Sequence, residues 1–302
     1  MLRSLPKFVG FLLGLLAAYC WWMEPGRLAF TRHEVCDPEQ PLITPIRVLL
    51  LTDWHLGRFS RPAALRAKME RLQKQHRDEP FDLILLGGDY VDEDLHYLRL
   101  LTPVLGTLGR LGIPLYAVLG NHDYSSFTGN ISAVITYLED ANVCVLRNQA
   151  ASVTVRGQRM LVIGLDDLQE SPLYFDPNRY QPPAHYQNAA GQMDWYRRFD
   201  SLEPETPRLL LAHNPDAVYL PGLPPRVVLC GHTHGGQIML LDWISRPLHR
   251  WIHVHLPPGS AVTWAGRRIV NGRTLIVSRG IEGSAVPVRL LRPPEAVIIT
   301  LS

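Results

Sequence analysis

The sequence predicts an α/β protein built on largely parallel sheets. Short runs rich in Leu, Ile and Val recur from residue 46 onward, helical stretches separate the early ones, and nearly every run ends in Gly, Asp, Asn or His. Strands alternating with helices imply βαβ units, whose parallel sheets are covered on both faces and therefore read as continuous apolar runs. In such sheets the ligand-binding side chains gather beyond the carboxyl ends of the strands.

The elements follow in order. IRVLLLTD (46–53) is the first strand and 62–76 a helix. FDLILLGGD (81–89) is the second strand, 93–109 a helix, and IPLYAVLGNHD (113–123) the third strand. ASVTVRGQRMLVIGLDD (151–167) reads as a hairpin turning at Arg156–Gly157–Gln158. PRLLLAHNPD (207–216) and PRVVLCGHTHGG (225–236) are two more apolar strands with polar ends, and RTLIVSRG (273–280) and EAVIITLS (295–302) close the fold. No internal repeat or low-complexity block divides residues 46–302, which read as one domain with a two-sheet core.

Composition bounds the function. Lys and Arg number 30 against 28 Asp and Glu, a net charge of +2, which argues against a dedicated nucleic-acid binder. Hydrophobic residues make up 46%, enough for a sizeable core, and 23 Gly with 25 Pro stay below the level of a disordered chain. The four cysteines, Cys20, Cys36, Cys144 and Cys230, include no CxxC, which speaks against a disulfide scaffold or a thiolate zinc site.

The N-terminus stands apart. Residues 8–23, FVGFLLGLLAAYCWWM, carry no charge between Lys7 and Glu24. A helix of that length spans about 24 Å against a hydrocarbon core of ~30 Å. No A-x-A site follows it, and Trp21 and Trp22 suit a membrane interface, so residues 1–26 are expected to form a single uncleaved anchor in preference to a signal peptide. Arg3 and Lys7 before it and Arg27 and Arg32 after it leave its orientation tied. Residues 27–45, Pro-containing toward their end, are expected to be a linker.

Five polar clusters follow five apolar runs: Asp53-x-His55, Gly88-Asp89, Gly120-Asn121-His122-Asp123, His213, and Gly231-His232-Thr233-His234. Alternate residues of a strand share a side, so D-x-H and H-x-H each aim a pair at a common point. Carboxylate, amide and imidazole donors without thiolate suit Mn, Fe, Zn or Mg. Singly, each cluster could be a solvated turn or a hydrogen-bonded core histidine. Five in succession at strand ends point to a metal centre.

The order D-x-H, GD, GNHD, H, GHTH resembles the calcineurin-like metallophosphoesterase superfamily over residues 46–302. TDWHLG (52–57), GNHDY (120–124), HNPD (213–216), GHTHGGQ (231–237) and SRG…PVRLLRPPEAVIITL (278–301) resemble its bacterial membrane-associated branch of phosphodiesterases and UDP-2,3-diacylglucosamine pyrophosphatases. Trp54 departs from the Leu more frequent there, and its side chain is expected to point away from the metals.

The resemblance implies a four-layer α/β/β/α sandwich with the metals at the strand C-termini. It implies two divalent ions, Mn favoured, one held by Asp53, His55, Asp89 and His234 and the other by Asp89, Asn121, His213 and His232. Two such ions share a water or hydroxide that attacks phosphorus. His122 would then face the phosphate as general acid or charge stabiliser, with Asp123 orienting it; the alternative for His122 is simple support of a ligand from behind. Arg58 is a candidate phosphate donor, against the alternative of a solvated loop arginine. Arg279 and Arg289 match the family tail and either serve the site or lock the last strands, and Cys230 is expected to point into the core. Residues 238–268 mix Trp243, Ile244, Leu248, Trp251, Ile252 and Trp264 with Arg246, His249 and Arg250, which suits either a lipid-headgroup boundary or a hydrophobic flap.

The implied activity is hydrolysis of a phosphodiester or pyrophosphate in a membrane lipid such as UDP-2,3-diacylglucosamine, releasing UMP and the acylated sugar phosphate. The implied partners are a membrane and a phospholipid-like or nucleotide-lipid substrate, with no nucleic acid. The implied location is the bacterial inner membrane, on its cytoplasmic face for that substrate. A tethered phosphodiesterase or phosphatase of soluble substrates is the second reading. A non-catalytic binding module is the third, and the full set of candidate ligands opposes it.

Overall fold

The computed structural model describes residues 5–37, 39–92, 94–124, 130–168, 206–220, 226–238, 264–284 and 286–302. Two six-stranded sheets face each other. The first runs, edge to edge, β1 (Ala29–Val35), β12 (Glu295–Leu301), β2 (Ile46–Leu51), β3 (Leu83–Leu86), β4 (Leu115–Ala117), β5 (Cys144–Val145). The second runs β10 (Gly266–Val270), β11 (Arg273–Val277), β9 (Val227–Cys230), β8 (Arg208–Leu211), β7 (Gln158–Gly164), β6 (Gln149–Val155). The runs β2-β3-β4-β5 and β11-β9-β8-β7 are parallel, as expected.

The two-residue period of a strand explains the layering. Val48, Leu50, Leu83 and Leu85 point inward and meet Leu209, Leu211, Val227, Leu229 and Ile276 of the opposite sheet. Their neighbours Leu49, Leu51, Ile84 and Leu86 point outward, against α2 (Pro62–Asp78), α3 (Thr102–Gly109) and α5 (Ile131–Glu139). On the far side, Leu210, Val228, Cys230, Leu275 and Val277 pack with a 3₁₀ turn at Pro215–Tyr219. Cys230 is therefore a core residue, and Trp54 is fully buried among the α2–α3 contacts, both as expected.

Several expected boundaries move. The helix expected over 93–109 splits into a 3₁₀ segment, Leu95–Leu100, and α3, whose first turn carries Pro103. The strand expected over 113–123 pairs only at Leu115–Ala117 and ends in a helical turn, α4 (Asn121–Tyr124). The hairpin turns where expected, with Arg156 (φ 48°) and Gly157 (φ 75°) both left-handed, as a type I′ turn requires. Within 27–45, expected as a linker, lies β1, which pairs in parallel with β12 over its whole length.

The membrane anchor is a correction. α1 (Leu5–Ala18) is 14 residues long and passes into a π-helical turn at Tyr19–Met23. At 1.5 Å per residue α1 covers about 21 Å, well short of a hydrocarbon core of ~30 Å. No helix among the described residues is long and apolar enough to cross a membrane. The expected location at an inner membrane through a single spanning anchor is therefore not supported. Phe8, Phe11, Leu13 and Leu15 of α1 are more than half exposed. The Trp243–Trp251 stretch lies outside the described residues.

Candidate metal centre

The site forms where both sheets end. β2 leads into Asp53 and His55, β3 into Asp89, β4 into Asn121 and His122, β8 into His213, and β9 into His232 and His234. Backbone bonds tie these ends together: Asp53 N donates to Gly88 O (3.0 Å), His55 N to Asp89 O (2.9 Å) and Gly231 N to His213 O (3.0 Å). Asp53, His55, Asp89, His232 and His234 all have positive φ, between 38° and 73°. A non-glycine residue there costs on the order of 1–3 kcal/mol and persists only where its surroundings over-determine it. Five of seven expected ligands sharing that strain mark the site independently of residue type. Close approach is required as well. A Cβ on Gly120 would collide with the Asp89 carboxylate, and one on Gly231 with that of Asp53.

The donors gather into two groups that meet at Asp89. Asp53, His55, Asp89 and His234 offer ligand atoms all within 4.8 Å of one another, and so do Asp89, His213 and His232. Asp89 Oδ2 lies 3.1 Å from His55 Nε2 and 3.1 Å from His213 Nε2, so one carboxylate faces both groups. His232 Nδ1 lies 3.0 Å from Asn121 Oδ1 and 3.1 Å from His213 Nε2, which brings Asn121 into the second group. His234 Nε2 is 3.6 Å from Asp53 Oδ1. All seven sequence-predicted ligands thus converge.

The rings are oriented from behind. His213 Nδ1 faces Gly87 O at 2.7 Å, His55 Nδ1 faces Asp92 Oδ1 at 3.0 Å, and His234 Nδ1 faces Glu282 O at 3.3 Å. A proton held on Nδ1 leaves Nε2 as the ligand nitrogen. Burial would lower the basicity of His55 and His213, but the Asp89 carboxylate outweighs it and raises both to about 10. Burial would raise Asp89, and those two histidines hold it well below the carboxylate range instead. Burial and the His213 cation push His232 down to about 3, while burial and His55 push His234 well down. Buried carboxylates beside pre-oriented imidazoles, with no thiolate, fit hard to borderline divalent cations that displace the imidazole protons on binding.

His122 and Asp92 complete the chemistry. The His122 side chain keeps 27% exposure at the edge of the cluster, and its Nδ1 is 3.3 Å from Asp92 Oδ1. Asp92 thus serves both His55 and His122, a role the sequence reading missed. Its signal was a third-position carboxylate after Asp89, in GDYVD. Asp123, expected to orient His122, turns its oxygens to the backbone N–H groups of Asp89, Tyr90 and Gly120 at 2.8–2.9 Å. It fixes the β3–β4 ends around Asp89. Arg58 lines a cleft with His55, Phe59, Ser60, Asp92 and Glu282, its guanidinium 4.7 Å from the centre of the Phe59 ring.

Comparison with known proteins agrees with this chemistry. Residues 46–236 match the calcineurin-like phosphoesterase family. The Escherichia coli (strain K12) phosphodiesterase YaeI is 30% identical over 94% of this chain and 92% of its own. An uncharacterised metallophosphoesterase of Aquifex aeolicus is 27% identical over 96% and 98%. The solved 5′-nucleotidase precursor of Thermus thermophilus is similar with a TM-score of 0.47 and 17% identity over 85% of this chain and 55% of that one, too distant to bear on substrate. The family match and the near full-length relative, on a fold that assembles the family's metal-ligand motifs, place this chain in the calcineurin-like phosphoesterases, which are metal-dependent hydrolases.

Proposed function

We propose that the chain hydrolyses a phosphodiester or pyrophosphate bond with two divalent ions, Mn favoured. The observation that carries this reading is the Asp89 carboxylate facing both donor groups at once. Asp53, His55, Asp89 and His234 would hold one ion, and Asp89, Asn121, His213 and His232 the other. Such a pair of ions supplies an activated water and the positive charge that a phosphoryl group in transition requires. His122, held by Asp92 at the partly open edge, would donate to a phosphoryl or leaving-group oxygen. Arg58, which lines the adjoining cleft, would bind a phosphate as a charged donor.

The substrate we propose carries an apolar part, with UDP-2,3-diacylglucosamine the example the family resemblance suggests. The supporting observation is apolar surface beside the cleft. The Trp21 ring meets the Phe59 ring edge-on at 5.6 Å, and Trp22 and Met23 are exposed next to it. The test is a panel of UDP-2,3-diacylglucosamine, a water-soluble phosphodiester and a phosphomonoester, assayed with metal content measured in parallel. Faster turnover of the diester and the acylated substrate than of the monoester, lost on chelation and restored by Mn²⁺, is expected. A monoester preference overturns the diester assignment, and turnover indifferent to the acyl chains overturns the lipid one.

A further inference from the structure

Lys68 and Arg289 are the most deeply buried lysine and arginine among the described residues, and both close on one residue, Glu282. Lys68 lies on the core face of α2, between Leu65 and Met69, and donates to the Glu282 carboxylate (2.6 Å) and to Ile281 O (2.8 Å). The Arg289 guanidinium donates to Glu282 O (2.5 Å), Arg279 O (2.8 Å) and Arg292 O (3.0 Å). Glu282 N donates to Asp53 O (3.0 Å). Glu282 O is also the acceptor facing His234 Nδ1. The Glu282 peptide is therefore held on three sides while it sets the backbone of one expected ligand and the ring of another.

The backbone carrying Arg289 is held in turn by the N-terminal segment. Cys20 O accepts from Arg289 N at 3.0 Å. The Glu24 carboxylate, 1% exposed, accepts from Leu291 N (2.9 Å) and Arg292 N (2.6 Å). Leu291 has φ 58°, a conformation a leucine adopts only under constraint. The paired hydrogen bonds to the Glu24 carboxylate supply that constraint, and Arg61 adds bonds from the cleft loop to Trp21 O (2.7 Å) and Trp22 O (3.4 Å). An unbroken series of contacts runs from the end of the N-terminal helix through residues 289–292 to Glu282 and on to Asp53 and His234.

We propose that Glu24 and Arg289 are positioning residues for the metal position formed by Asp53, His55 and His234, so that the seating of the N-terminal segment sets the affinity of that position and not of the other. The proposal rests on the two-ion reading above. Groups that orient a metal ligand from behind typically carry about 10- to 100-fold in metal affinity. The rings of the second group take their orientation elsewhere, from Gly87 O behind His213 and Asn121 beside His232; the series meets this group through the His232 backbone N–H, which donates to Asp53 Oδ1 at 2.9 Å, and not through either ring.

The test is titration of Mn²⁺ into chelator-stripped full-length protein by calorimetry, with each position isolated in turn. In a His213→Ala background, Glu24→Ala is expected to weaken the remaining Mn²⁺ site by about 10- to 100-fold. Glu24→Gln keeps one acceptor oxygen and should lose less, which gives a reading even where Glu24→Ala folds poorly. In a His234→Ala background neither change should move the Mn²⁺ constant. Equal shifts in both backgrounds, or unchanged constants with only a lowered melting temperature, would reduce Glu24 to a structural residue and overturn the proposal. Failure of the wild-type chain to take up Mn²⁺ would instead sink the two-ion reading, and this inference with it.

Discussion

The chemistry of the centre turns on which side chains touch metal and which touch only substrate. Asp89 faces both donor groups, so Asp89→Asn should strip metal from both positions and abolish turnover, with elemental analysis as the check. His122 is different: its ring is held by Asp92 at the partly exposed edge. His122→Ala should leave metal content near wild type and lower turnover by about 10²-fold or more, the usual scale for a positioned acid or charge stabiliser. Stoichiometric metal loss in that variant would make His122 a ligand. Asp92→Asn should do both, weakening metal through His55 and turnover through His122, because one carboxylate orients both rings. A pH effect follows from His55 and His213, whose pKa values Asp89 raises to about 10. Incoming cations must displace those protons, so metal affinity should rise with pH through the neutral range and up to about 10. Calorimetry in buffers of different ionisation enthalpy reads the protons directly, and binding without proton release would show that the two imidazoles are already neutral.

At the scale of elements, α2 is more than a cover for the first sheet. Its apolar stripe, Leu65, Met69 and Leu72, is interrupted by buried Lys68, whose partner Glu282 lies in the segment after β11. Removing one partner of a buried ion pair leaves the other charge uncompensated and costs about 3–5 kcal/mol. Lys68→Met should lose stability on that scale in urea denaturation, and a loss below about 1 kcal/mol would mean Glu282 finds other partners. Lys68 also shows why parts of the fold escape sequence reading. A lysine inside an amphipathic helix looks like a solvated face, and only its pairing with a residue far along the chain reveals it as core. β1 escaped for a related reason. AFTRHEV alternates Arg32 and Glu34 outward, so it lacks the continuous apolar run that exposed β2, β3, β8 and β9. It is an edge strand, stabilised chiefly by pairing with β12 at the far end of the chain. The ligand set, by contrast, was legible because each ligand follows a buried strand whose run is unmistakable. Asp92 was not, because its role depends on two rings brought to it by separate strands.

At the scale of the whole molecule, the ends of the chain close the structure together. β1 and β12 lie side by side, Ala29 N donates to Pro294 O at 2.7 Å, and Ser302 N donates to Val35 O at 3.0 Å. Ahead of β1, Cys20 and Glu24 satisfy the backbone N–H groups of Arg289, Leu291 and Arg292. A chain cut after residue 26 loses all of these bonds at once. Each N–H left buried without a partner costs about 1–3 kcal/mol, and water reaching the exposed segment offsets part of that. The loss should still lower the melting temperature of the truncated chain by on the order of 5–10 °C for a protein of this size. Because β1 and β12 remain paired, the truncated chain should keep its sheets and unfold in one transition. Small-substrate turnover should become more demanding of added Mn²⁺, as residues 289–292 lose what holds them against Glu282. Thermal denaturation at saturating and at limiting Mn²⁺ separates the two effects: excess metal should recover turnover while leaving part of the melting deficit in place. A truncated chain that melts with the full-length protein and needs no extra metal would show that the N-terminal segment is an appendage, with the bonds at Cys20 and Glu24 contributing nothing to the fold or its metal centre.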